Sequence, residues 1–256
     1  MPEGHVSHRN AIRLTSALAG QRIVRVEEGP RVAAQRLADR LTGRMVERVE
    51  AVGKHHLVHI DDGHVLHSHL GMVGRWRVHP VEERLDRSGL WLALFTETTV
   101  AAQYRGPTLQ LHAPGAPIPQ IRRVGPDLLA ADGSPDPSVG IDVTRVPADR
   151  LVCDVLLDQR VVSGIGNIYR SEALWEVGVN PWTRMGDITQ ETADALTASA
   201  ARLLADAMEL DRRGPQRRHA VYRRTGRPCP RCETPIRSMR HGDDNRAVHW
   251  CPTCQG

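Results

Sequence analysis

The segment Gln159-Arg-Val-Val-Ser-Gly-Ile-Gly-Asn-Ile-Tyr-Arg170 sets two glycines and an asparagine between two stretches of helical pattern, Leu151 to Asp158 and Ile168 to Val177. Glycine lets backbone approach a partner closely, and the N–H groups exposed at a helix N-terminus favour anions. A turn of this composition therefore fits either a phosphate clamp or a plain capped helix. Downstream, Thr189 to Leu210 reads as a long, alanine-rich helix. Upstream, a stretch rich in Pro, Gly, Ser and Asp from Ala130 to Asp149 reads as an interdomain connection.

The end of the chain is more specific. Cys229, Cys232, Cys251 and Cys254 form two C-x2-C knuckles separated by 18 residues, a spacing that brings four thiolates into a tetrahedron around one structural Zn2+. Such a site is closed and leaves no position for a substrate. Cys153 stands apart in an apolar stretch and is expected in the core. Charge is also concentrated here. The chain carries a net +4, but the segment from Asp211 to Gly256 holds 11 arginines against four acids. A basic segment of this kind usually faces phosphate, the alternative being a merely solvated face.

The first half is mainly of period two. After a helix ending at Gly20, strands are expected over Arg22 to Glu27, Met45 to Val52, His55 to Ile60, His64 to Leu70 and Leu90 to Phe95, with Asp61-Asp62-Gly63 as a hairpin turn. Among 34 basic residues Lys54 is the only lysine. Lysine is a compact, titratable point charge where arginine is a fixed fork, so this position is a candidate for specific chemistry. Histidines 55, 56, 59, 64, 67 and 69 crowd the same hairpin and read either as half-buried strand residues or, through His67 and His69, as metal ligands. Removal of Met1 would leave Pro2 with a secondary amine of pKa near ~8, partly neutral and nucleophilic at physiological pH. Glu3 beside it suits proton transfer. Pro and Glu are equally ordinary in the first turn of a helix. No apolar run is long enough to span a bilayer and no signal-peptide pattern is present, which suggests a soluble, cytoplasmic and nucleoid-associated protein.

Taken in order, Met1-Pro2-Glu3-Gly4, Gly53-Lys54, His69-Leu70-Gly71-Met72, Val124-Gly125-Pro126-Asp127, Leu157-Asp158-Gln159, Gly164-Ile165-Gly166-Asn167-Ile168-Tyr169 and the run from Cys229 to Cys254 resemble the formamidopyrimidine-DNA glycosylase and endonuclease VIII family. The resemblance implies an α+β fold. Residues 1–129 would form a catalytic N-terminal helix and β-sandwich and 130–149 a linker. Residues 150–220 would form a helix-two-turn-helix DNA-binding domain, and 221–256 a zinc-finger hairpin. It further implies a monomer that holds damaged DNA, duplex or single-stranded, in a cleft between its domains and needs no membrane or small-molecule cofactor.

On this resemblance Pro2 is the Schiff-base nucleophile of a bifunctional DNA glycosylase and apurinic/apyrimidinic lyase, and Glu3 its general acid and base. Lys54 grips phosphate beside the lesion, as do Asn167 and Arg246, all five converging on one strand. Met72 fills the gap left by the flipped base, and Arg105 assists as a second wedge. Val6 stands where many relatives have a second glutamate, and Arg105-Gly106-Pro107 replaces Arg-Phe-Gly. The short connection before Tyr222, Gly4 in place of a leucine, and Arg170 with Trp175 lean toward endonuclease VIII and oxidised pyrimidines, with β- or β,δ-elimination following. The alternative expectation is a non-catalytic damaged-DNA or single-strand-binding protein that retains the fold. A zinc ribbon that recruits protein partners accounts only for the last 36 residues.

Overall fold

The computed structural model describes residues 3–213, 219–242 and 245–256. By their internal contacts the described residues divide into two units: residues 6–122, and those from 123 onward together with Glu3–His5.

The first unit contains α1 (Gly4–Leu18) from its third residue onward, α2 (Leu37–Leu41) and strands β1 (Arg25–Glu28), β2 (Val46–Val52), β3 (His55–Ile60), β4 (Val65–His69), β5 (Arg75–Pro80), β6 (Leu90–Phe95), β7 (Thr99–Tyr104) and β8 (Thr108–His112). They form two antiparallel four-stranded sheets, ordered β2-β3-β4-β8 and β1-β6-β7-β5. Leu14 and Leu18 of α1 share one buried cluster with Val46, Val58 and Leu66 of the first sheet and Trp76, Leu92 and Leu94 of the second. Removing this apolar surface from water drives the assembly, at about 25 cal/mol per Å². Gly20, at φ +72°, ends α1, and Gly63, at φ +83°, completes the β3–β4 turn. The sandwich is thus larger than the period-two reading, which did not anticipate α2, β5, β7 or β8.

The second unit contains α3 (Val152–Val155), α4 (Asn167–Val177), α5 (Gln190–Arg213) and the hairpin β9 (Arg237–His241) and β10 (Arg246–Trp250). The expected helix from Leu151 to Asp158 shrinks to one turn. Gly178 closes α4 in the left-handed conformation, its N–H donating to Leu174 and Trp175. Arg231 reaches the carbonyls of Trp175 and Glu176 at 2.9 Å each and lies over the Trp175 ring, fastening the hairpin segment to this helix end.

Candidate functional site

Pro2 lies outside the described residues. Glu3, next to it, is fully buried within the second unit. Its Oε1 accepts the Ile168 N–H at 2.8 Å, and its Oε2 accepts those of Gly166 at 3.0 Å and Tyr169 at 3.3 Å. These donors sit at the N-terminus of α4, where helical N–H groups lack intrahelical partners and the helix dipole is positive. Of the two readings that the sequence left open for this turn, a phosphate clamp or a plain capped helix, these N–H groups match the second, since a carboxylate of the same chain takes them. The glycines serve that contact. A Cβ on Gly166 would fall 2.4 Å from Glu3 Cδ, and one on Gly4 would fall 2.8 Å from Gly164 Cα. Gly4 N–H donates to Gly164 O at 2.8 Å.

Asn167, 7% exposed, is occupied by its own unit: Nδ2 donates to Ala247 O at 3.0 Å and Oδ1 accepts from Arg170. Arg170 is buried, which lowers its pKa, and its Nη1 also meets Cys153 O at 3.4 Å while Nη2 meets Ala247 O at 3.4 Å. One guanidinium therefore ties α3, α4 and β10 together. Arg246 opens β10 and lines, with Arg150, Arg160 and Arg170, a cavity of 610 Å³. Asp158 pairs with Arg150 at 3.0 Å and Arg160 at 2.8 Å, and the Arg160 hydrogen bonds hold its carboxyl down at about 2. Sequence reasoning used Arg170 only as a mark of the endonuclease VIII branch and gave it no structural role. It also passed over Glu172, a buried carboxylate that accepts the N–H groups of Ala220, Val221 and Tyr222 at 2.7, 3.0 and 2.9 Å.

The four cysteines of the C-x2-C pairs bring their sulfurs within 4.8 Å of one another. Cys232 Sγ lies 3.3 Å from Cys254 Sγ and 3.4 Å from Cys251 Sγ, and Cys229 Sγ lies 3.9 Å from Cys254 Sγ. Four thiolates at ~2.3 Å from one zinc would be about 3.8 Å apart, whereas a disulfide needs ~2.05 Å, so the spacing fits one metal ion. Donors to sulfur surround the group: the Arg231 N–H and Trp175 Nε1 reach Cys229, and the Cys254 N–H reaches Cys251, each at 3.4 Å.

In the first unit Gly53 and Lys54 form the turn between β2 and β3, where Val52 pairs with His55. The cation stands beside a row of histidines on one sheet face. His55 Nδ1 and His67 Nε2 are 2.8 Å apart, and the His55–His69 and His67–His112 ring centroids are 4.6 and 5.7 Å apart. Burial, reinforced by the neighbouring charges, pushes His55 down to about 3 and His67 down to about 4; burial and then Lys54 lower His69. Among the described residues no three of these ring nitrogens lie within metal-binding reach of one another.

Met72 follows β4 on a loop and is 74% exposed, with Val73 62% exposed beside it. The Arg105-Gly106-Pro107 turn abuts this loop: a Cβ on Gly71 would meet Pro107 Cδ at 2.7 Å, and one on Gly74 would meet Gly106 Cα at 3.0 Å. Arg105 itself holds φ +54°, a conformation costly for a side chain and common at functional turns. Met72 and Arg105 are thus brought together in the first unit, while Glu3, Asn167 and Arg246 belong to the second.

Comparison with known proteins gives a consistent answer. Residues 1–125 match the model of the formamidopyrimidine-DNA glycosylase N-terminal domain, and residues 143–218 that of the formamidopyrimidine-DNA glycosylase H2TH domain. The chain is 37% identical over 268 residues to a probable endonuclease 8 2 of Streptomyces coelicolor, covering 100% of this chain and 94% of the relative. It is 33% identical to the DNA-(apurinic or apyrimidinic site) lyase Nei2 of Mycolicibacterium smegmatis, covering 100% and 99%. The formamidopyrimidine-DNA glycosylase of Lactococcus lactis, solved with AP-site-containing DNA, shares the fold with a TM-score of 0.82 at 24% identity over 99% of each chain. With domain models covering both units and endonuclease 8 relatives matched end to end, the chain belongs to the formamidopyrimidine-DNA glycosylase and endonuclease VIII family and is endonuclease VIII-like.

Proposed function

We infer that this protein works in DNA base-excision repair, as a glycosylase that removes an oxidised base and as a lyase that then cuts the strand. The observation that carries this reading is Glu3, a buried carboxylate fixed by three backbone N–H groups at the start of α4 and covalently next to Pro2. In the proposed reaction the Pro2 nitrogen attacks C1′ of the damaged nucleotide, the C1′–base bond breaks, and the base departs with a proton. Loss of the amine proton leaves a neutral amine on C1′; the C1′–O4′ bond then breaks as O4′ takes up a proton, which opens the sugar and gives the iminium, and Glu3 transfers protons to and from the sugar. Removing a 2′ proton then expels the 3′ phosphate by β-elimination; a second elimination would release the 5′ phosphate. Lys54, Asn167 and Arg246 are the proposed phosphate contacts. Exposed Met72, assisted by Arg105, is the proposed wedge for the vacated stack. The four cysteines would hold one zinc, which shapes the hairpin and supplies no chemistry. Oxidised pyrimidines are the favoured substrates, because α5 runs to Arg213 and leaves only a short connection before Tyr222.

Borohydride reduction with abasic DNA tests the mechanism. A covalent adduct on the Pro2 peptide is expected, and Pro2→Gly should lose most of it. Retention of Met1, or tight binding of abasic DNA with neither adduct nor strand break, would overturn the reading and leave a damage-binding protein. Single-lesion oligonucleotides, each in single- and double-stranded form, test the pyrimidine preference.

A further inference from the structure

The proposed repair reaction leaves one cluster in the second unit unused. Cys153 and Asp154 lie on α3, and His241 ends β9, 87 positions beyond Asp154. The Cys153 sulfur, an Asp154 carboxylate oxygen and a His241 ring nitrogen all lie within 4.8 Å of one another. His241 Nε2 is 2.9 Å from Asp154 Oδ2, and Cys153 Sγ is 3.8 Å from Asp154 Oδ1. We propose that these three residues form a second metal site, separate from the four-cysteine cluster, for a borderline or thiophilic dication such as Zn2+, Co2+ or Cd2+.

The donor chemistry supports this assignment. Sulfur, imidazole and carboxylate are the zinc-binding functions, and a tetrahedral ion with bonds of about 2.0–2.3 Å sets its ligands roughly 3.3–3.6 Å apart, near the spacings here. The Asp154 and His241 side chains remain 35% and 30% exposed and line the 610 Å³ cavity that would supply a water as fourth ligand, while the fully buried Cys153 thiol would close the site from the protein interior. Arg150, Arg160, Arg170 and Arg246 all border the same cavity; Arg150 and Arg160 are paired with Asp158, which reduces their repulsion of a cation, and Arg170 is turned to Asn167 and to the Cys153 and Ala247 carbonyls. Occupancy would cross-link α3 to the hairpin. It would also fix His241, the residue registered directly opposite Arg246 in the β9–β10 pair.

The test reads metal binding and does not depend on repair activity. Protein carrying one zinc per chain is titrated with Co2+ alone, following thiolate-to-cobalt charge transfer and tryptophan fluorescence. Trp182 packs edge-on against His241 with centroids 5.4 Å apart and should be quenched. The native chain is expected to take a second metal equivalent. Cys153→Ala should lose the associated charge-transfer band, and His241→Ala or His241→Gln should weaken binding by about a hundredfold or more, beyond the ~10–100-fold typical of outer-shell partners. Each variant must keep its single zinc, which verifies the hairpin. A native stoichiometry that stays at one metal, or variants that titrate like the native chain, would overturn the proposal. Signal common to all three proteins belongs to exchange at the four-cysteine cluster and counts against it.

Discussion

Glu3 and Glu172 are both buried carboxylates, and each accepts three backbone N–H groups. Glu3 reaches the start of α4 from the beginning of the chain, whereas Glu172 lies within α4 and holds Ala220 to Tyr222, the approach to the cysteine hairpin. Identical satisfaction of hydrogen bonds therefore accompanies a proposed proton-transfer group in one case and an anchor in the other. Burial and bonding show that a carboxylate is held; its neighbours decide what it can do. Beside Glu3 is a candidate secondary amine, whereas the ionisable neighbour of Glu172 is His249, whose pKa burial lowers while the carboxylate opposes that shift.

Substitution separates the two. Glu3→Gln should lower turnover on an abasic oligonucleotide by roughly a hundredfold to ten-thousandfold, the range of general acid–base catalysis, while circular dichroism reports a folded chain. Native turnover in that variant would break the distinction. Gly166→Ala should act through Glu3, because its Cβ would overlap the carboxyl carbon. Strain of about 1–3 kcal/mol and a displaced carboxylate are expected, read as lowered activity together with a lowered unfolding midpoint. Glu172→Gln replaces one of two accepting oxygens with a donor. A loss of about 2–3 kcal/mol in denaturant unfolding should follow, with the rate per folded molecule unchanged.

An effect confined to acid pH concerns the histidine row of the first unit. Its folded pKa values are depressed below 6.5, to about 3 for His55 and about 4 for His67, so the unfolded chain binds more protons between those limits. Stability should be fully present above about pH 6.5 and decline as pH falls toward 4. His67→Gln should flatten that decline in thermal melts across the same window.

Much of this architecture was legible because the signals are local. The turn at Asp61-Asp62-Gly63, strands His55–Ile60 and Leu90–Phe95, the cysteine spacing and the long α5 all follow from neighbouring residues. β7 escaped because five of its six residues are buried, so it lacks alternation. β5 ends in Pro80 and buries only Trp76, which gives too weak a pattern to read. In the site, the glycines at 164 and 166 correctly signalled a close approach, but the approaching groups were the Gly4 backbone and the Glu3 carboxylate, each about 160 positions away. Arg170 drew notice only as a mark of the endonuclease VIII branch and Glu172 drew none, because only folding brings them to the partners that bury them.

The lone lysine at the β2–β3 turn makes the chain easy to interrogate chemically. A protease specific for lysine has one cleavage site in 256 residues, and its cut would leave fragments 1–54 and 55–256 joined by the ladder between β2 and β3. An amine-directed fluorophore has one side-chain target, at the same turn. If Lys54 grips phosphate as proposed, bound DNA shields that amine, so the fraction of nicked or labelled chains counts the molecules that are free of DNA.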